Sequence, residues 1–206
     1  YKNVKFLNIF LEQPESKKFI QRNSQRFKDI AKKVYLLDAI RFSYKVFAQN
    51  DARKYGDHIF YLDSDTFFLK QISDDWFKEC LPDNVFISCY ERLGYYTETG
   101  FLAFNNIIKN ANGDKISDLF FNIYTNYYIK DIIYALPAFT DCHALDAARY
   151  RFLFLKPYVT DYNNYLENKL GDKNLWLTSN ELDVMKSDNF MNRYIIHNKG
   201  LKKFEK

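Results

Sequence analysis

The segment His58–Leu69 reads HIFYLDSDTFFL: a continuous apolar run, four polar residues, and a second apolar run. Gly56 and Asp57 punctuate the chain just before it. An apolar run this short, bounded by turn residues, predicts a strand at the centre of a sheet covered on both faces. The residues ahead of it alternate between strand and helix patterns. VKFLNIFLE (4–12) reads as a strand, and Ser16–Lys33 as a helix with Pro14, Glu15 and Ser16 as its start signal. KVYLLDA (33–39) reads as a strand, and Arg41–Lys54 as a helix that turns Phe42, Val46 and Phe47 inward. Strand, helix, strand, helix, strand predicts an α/β fold with a mostly parallel sheet flanked by helices. Beyond the acidic pair, NVFISCY and GFLAFN read as two more strands, and Asn112-Gly113-Asp114 as a turn. Ile116–Tyr128 and Asp141–Arg151 read as helices, the latter capped by Thr140 or Asp141. Residues 157–182 are irregular, rich in Asn, Asp and Tyr. No linker or internal repeat interrupts the 206 residues, so one domain over 1–206 is expected.

Composition narrows the classes. Hydrophobic residues make up 47%, enough for a real core and too many for a disordered chain. A net charge of +4 is mild. It suits an anionic small substrate better than a nucleic-acid groove, which needs a denser basic stripe. The basic stretch SKKFIQRNSQRFKDIAKK intersperses its charges with Phe19, Ile20, Phe27 and Ile30, and reads as a solvated helix face. Cys80, Cys89 and Cys142 show no paired spacing. That predicts free thiols in a reducing, cytoplasmic compartment and argues against a zinc site. No apolar run approaches the length of a membrane span.

Asp63 and Asp65 are the chemical question. In an open α/β sheet, ligands bind beyond the carboxyl ends of strands, where this pair would fall. On an extended chain, residues two apart face the same way at about 7 Å. Two such carboxylates repel each other and resist desolvation unless a cation lies near them. Hard oxygens favour Mg²⁺ or Mn²⁺, which in turn hold phosphate oxygens. The plainer alternative is a strand running into a polar turn, with Asp63 and Ser64 capping it.

Two enzyme classes place D-x-D after an apolar strand. Haloacid-dehalogenase-type phosphatases use D-x-D-x-[TV], but Thr66 stands one position early here and Phe67 occupies the Thr/Val position. YLDSDTFFLKQIS more closely resembles the D-x-D segment of GT-A nucleotide-sugar glycosyltransferases. YYTETGFLAFN (95–105) resembles the FN(A/S)G(F/V)xxFN segment of the retaining GT-A family that includes glycogenin and lipopolysaccharide galactosyltransferases. Gly100 and Asn105 match it, and Glu98 replaces the usual Asn. HNKGLKKF (197–204) matches that family's H-x-x-G-x-x-K through His197, Gly200 and Lys203. FTDCHALD lies where the family carries D-Q-D, with Asp141 matching the first carboxylate and His143 standing for the second. RFSYKVFAQNDARKY…IFYLDSDT…TETGF is also similar to uncharacterised phage-type D-x-D glycosyltransferases. Together the resemblances cover about Val34–Lys203, in the family's chain order.

The resemblance implies a GT-A, Rossmann-like fold with a front shorter than usual. It implies a metal-dependent hexosyltransferase, retaining at the anomeric carbon, that uses Mn²⁺ or Mg²⁺. The donor would be a nucleoside-diphosphate sugar, UDP-linked, and the acceptor a hydroxyl of an unknown glycan, lipid or protein. Asp63, Asp65 and His197 would hold the metal. Arg41, Lys45, Asp63, Ser64, Gly100, Gly200 and Lys203 would contact the donor, with Glu98 and Asp141 as candidate catalytic carboxylates. Two alternatives stay open: a donor-binding module that has lost turnover, and a D-x-D phosphatase.

Overall fold

The computed structural model describes residues 4–90, 96–109, 112–153 and 195–197. It is a mixed α/β chain that divides into two compact units. The first takes in Tyr1–Tyr55 and Phe120–Phe152, the second Gly56–Leu119 and Leu153–Lys206.

The first unit is helical. α1 (Ile9–Glu12) is capped by Asn8, whose side chain accepts from the amide of Phe10. α2 (Pro14–Asn23) starts on a proline that has no amide hydrogen to leave orphaned. α3 spans Lys28–Lys33, and a 3₁₀ turn covers Tyr35–Leu37. α4 (Ala39–Ala52) is capped by Asp38, which accepts from the Arg41 amide at 3.1 Å. α6 (Ile116–Ile129) and α7 (Asp141–Leu153) complete the set, α7 starting behind Thr140, whose hydroxyl accepts from the His143 amide. Phe42, Val46 and Phe47 are buried, as their spacing on α4 predicts. Phe19 meets Tyr128 edge-on at 5.4 Å, and the Tyr128 hydroxyl donates to the Phe139 carbonyl. The phenol thereby enters the core without an unsatisfied oxygen.

Two predicted strands are corrected here. Residues 4–12 and 33–39 form no strand; each gives a short helical turn. Asn8 and Asp38 sit inside those segments and accept from nearby backbone amides through their side-chain oxygens, which favours a helix start over an extended ladder. Alternation over so few residues also buries little: Phe6 and Leu11 remain exposed. Ser16–Lys33, read as one helix, breaks at Phe27, which adopts a left-handed conformation (φ 55°).

The second unit holds the strands: β1 (His58–Leu62), β2 (Thr66–Phe68), β3 (Ile87–Tyr90), β4 (Glu98–Asn105) and β5 (Ile195–His197). Between β2 and β3 lies α5 (Asp74–Cys80), capped by Ser73. β1, β4 and β3 form a sheet in that order, every neighbour antiparallel. The predicted parallel sheet is therefore also corrected. With the two leading segments helical, β1 has no earlier strand to join by a crossover, and it pairs with β4 instead. β4, not β1, is the middle strand, and all eight of its residues are buried, while β1 is only half-buried along most of its length. Trp76, Cys80, Leu81, Val85, Phe101 and Ala103 form the core beneath the sheet, with Phe60, Leu62 and Ile72 packed against them.

All three cysteines are free and buried. Among the described residues no helix is long and apolar enough to cross a membrane.

Candidate functional site

The acidic segment is the turn between β1 and β2. The amide of Thr66 donates to the Asp63 carbonyl at 2.9 Å, closing a four-residue turn. The extended geometry expected for the pair is thus replaced by a bend. Asp63 and Asp65 are half-buried and Ser64 is exposed at the tip. A turn suits this sequence, because Asp and Ser side chains can hydrogen-bond nearby backbone and tolerate its angles.

The turn is anchored to β4. The register pairs Leu62 with Phe101, and the next amide, that of Asp63, donates to the Gly100 carbonyl at 3.0 Å. On the same strand, the Gly100 amide donates to Glu98 Oε1 at 3.1 Å. Asp63, Gly100 and Glu98 are therefore linked in one chain of hydrogen bonds. Glu98 is only 8% exposed, so its carboxylate is held within the sheet end rather than extended into solvent. The ladder between β3 and β4 shifts register at the same level, between Cys89 and Tyr90, and Tyr90 pairs with Glu98. Such an irregularity redirects a strand end and recurs next to functional sites.

β5 arrives from far along the sequence and pairs antiparallel with β2. Its register sets Thr66 opposite His197, Phe67 opposite Ile196 and Phe68 opposite Ile195. His197 thus lies across from the residue that follows Asp65. Thr66 and His197 are directly opposite, about 5 Å apart, whereas Asp65 precedes Thr66 by one residue and is placed by the turn that the Thr66 amide closes on Asp63.

Thr66 was absent from the predicted site. Its Oγ1 is buried and has no hydrogen-bond partner among the described residues. Burying a hydroxyl unsatisfied is costly, so a polar group at this position is called for. The signal in the sequence was its place directly after the acidic pair.

Arg41, Lys45 and Asp141 belong to the first unit. Lys45 Nζ lies 2.9 Å from Asp141 Oδ2, and the Asp141 side chain is fully buried. Arg41 is exposed, lies 3.3 Å from Asp38 and sits 5.0 Å over the Tyr35 ring. His143 Nδ1 lies 2.8 Å from the Thr140 hydroxyl, and burial holds the ring below its ordinary pKa despite the fields of Asp146 and Asp141. Gly200 and Lys203 lie outside the described residues.

Two hard carboxylates and one neutral imidazole make a donor set suited to Mn²⁺ or Mg²⁺. Among the described side chains no three His, Cys, Asp or Glu are grouped to hold a metal. Asp63 and Asp65 lie in the turn that leads into β2, and the β2–β5 register sets His197 opposite Thr66. The chain matches no family model, no curated protein and no solved structure.

Proposed function

We propose that this chain is a metal-dependent glycosyltransferase of GT-A type that moves a hexosyl group from a UDP-linked sugar to an acceptor hydroxyl. The observation that carries it is the pairing of β2 with β5, which sets His197 across the ribbon from the acidic turn. Thr66, directly after the acidic pair, and His197 stand opposite each other although remote in sequence, and carboxylate and imidazole are ligands that a divalent ion accepts. The antiparallel sheet lends the proposal no support; the site does.

Asp63, Asp65 and His197 would hold Mn²⁺ or Mg²⁺. When bound, the ion neutralises the charge that grows on the departing diphosphate. The Asp63 backbone is anchored by its amide on the Gly100 carbonyl, which fixes where its side chain leaves the turn. The Thr66 hydroxyl, buried and unsatisfied, would donate to a phosphate oxygen of the donor. Gly200 and Lys203 would add an amide and a point charge on the leaving side. Glu98, fixed by the Gly100 amide, would face the sugar. Three free buried thiols support a reducing, cytoplasmic setting.

A second reading is donor binding without turnover. It is favoured by the burial of Glu98 and its hydrogen bond to Gly100, which describe a structural carboxylate as well as a catalytic one. Calorimetry with UDP and Mn²⁺ tests both. Wild type should bind UDP only with the metal, and Asp65→Asn should abolish that binding. Unchanged affinity in the variant would refute the metal assignment. Release of UDP from a UDP-sugar with an acceptor present separates transferase from module. Release of inorganic phosphate from a monoester, with no affinity for UDP, would point to a phosphatase.

A further inference from the structure

We propose that the first unit carries a second binding site, a metal-independent pocket for a soluble diphosphate-bearing small molecule. A cavity of about 400 Å³ lies among the turn after α2, helix α3 and the first turn of α4. Its size falls within the usual range for small-molecule sites. Arg26, Lys28, Lys32, Lys33 and Arg41 line it, against Asp38 as the single lining carboxylate. That surplus of four positive charges equals the net charge of the whole chain, so all other charges sum to zero. The sequence reads this stretch as a solvated helix face, and Arg26, Lys28, Lys32 and Lys33 are exposed while bordering one concavity.

The cations are arranged rather than merely abundant. The Arg26 guanidinium stacks 3.9 Å over the Tyr134 ring, and that of Arg41 lies 5.0 Å over Tyr35. Stacking restrains both forks while leaving N–H edges to donate. Behind Arg26, Asp131 takes a left-handed conformation (φ 57°), accepts from Arg22, and reaches Arg26 at 3.8 Å. Phe27, between the cationic residues Arg26 and Lys28, is also left-handed, a conformation rare for a bulky residue. Its ring packs 5.4 Å from both Tyr134 and Phe139, which holds it there. Backbone strain beside a pocket is characteristic of ligand sites. Asp29 and Asp131 offset Lys32 and Arg26 from outside the lining. Lys28 and Lys33 have no carboxylate partner among the described residues.

The chemistry selects the ligand. Guanidinium forks match phosphate oxygens in pairs, and ammonium groups add point charge. A lone carboxylate would leave most of the five cations uncompensated, whereas a diphosphate carries charge enough to answer them. Tyr35, which lines the cavity and is exposed, adds a flat apolar surface for a sugar ring or base.

The test is titration of inorganic pyrophosphate into the full chain, in low-salt buffer with EDTA. Binding should occur without metal, weaken with added salt, and persist in Asp65→Asn. Lys28→Gln with Lys33→Gln should weaken it about tenfold or more, as expected for two lost ionic contacts. Both lysines lack structural partners, so that variant keeps its fold. Arg26→Gln with Arg41→Gln should abolish it. No binding at millimolar pyrophosphate, unchanged affinity in the lysine variant, or loss of metal-free binding in Asp65→Asn would each overturn the proposal. The metal-dependent UDP titration reads the acidic turn independently, so failure of one site is distinguishable from failure of the other.

Discussion

Replacing Phe68 and Ile195 by cysteine should create a disulfide that locks the ribbon on which the metal assignment depends. These residues stand directly opposite each other in the β2–β5 register. Opposite residues of an antiparallel pair have Cα atoms about 4.5–5.5 Å apart, inside the span a disulfide tolerates. The bond would close a loop of about 130 residues, for which loss of unfolded-chain entropy predicts a ceiling of about 5 kcal/mol. Strain usually trims such gains, so about 3 kcal/mol is the expected stabilisation. With a urea dependence near 2–3 kcal/mol per molar, the second unit's midpoint should rise by about 1 M on oxidation and return on reduction. The native cysteines are all buried and free, so they leave the new pair undisturbed. Thiol alkylation followed by mass spectrometry would count the bond, and urea melts with and without reductant would weigh it. Phe67→Cys with Ile195→Cys is the control, since a shift of one residue moves a side chain to the other face of the ribbon. The pairing is refuted if the control oxidises as readily as the matched pair, or if the matched pair stays reduced. His197 would then have no reason to lie near Asp65.

Trp76→Ala should cost the second unit about 3–5 kcal/mol, read by urea denaturation, because its ring touches Phe60, Phe68, Phe77 and Phe101 in the core; a loss under 1 kcal/mol would mean the core lies elsewhere. Lys45→Ala should cost about 3 kcal/mol by leaving the fully buried Asp141 without its ammonium partner, and Lys45→Met with Asp141→Asn should recover most of that. If the double variant is no better than the single, the pair is not what the lysine serves. Asp131→Asn should remove an acid-sensitive contribution. Burial pushes the Asp131 carboxyl up, but hydrogen bonds from Arg22 and Asn23 and the field of Arg26 hold it below its ordinary value. A depressed carboxyl stabilises the fold above its unfolded pKa of about 3.9, and that stability is lost as pH falls through the folded value. Wild type should therefore lose stability faster than the variant below about pH 4, and parallel acid melts would contradict the assignment. The side chain is partly exposed, so the effect at neutral pH should stay near 1 kcal/mol.

Where sequence reading succeeded, a local pattern was enough. The inward face of α4, the helix α6, the turn at Gly113 and the strands Ile87–Tyr90 and Glu98–Asn105 each follow from periodicity or a turn residue. Where it failed, the outcome depended on partners. Residues 4–12 and 33–39 carry apolar residues at strand spacing, but a strand forms only against another strand, and side-chain caps at Asn8 and Asp38 offered a nearer solution. The apolar run of β1 foretold a strand but neither its partial burial nor its edge position, because sheet order is a property of long-range pairing.

The amino-acid order alone determined which groups this protein owns: an acidic pair after an apolar strand, a histidine near the far end, a basic stretch, three unpaired thiols. Only the tertiary structure decided which of them meet. It bent Asp63–Asp65 into a turn anchored on Gly100, drew β5 alongside β2, buried Asp141 against Lys45, and set exposed cations at the border of one cavity. The physical reason is range. Capping, turn preference and amphipathic period act within a few residues, whereas strand register and pocket formation depend on contacts between segments that the chain brings together only when it folds.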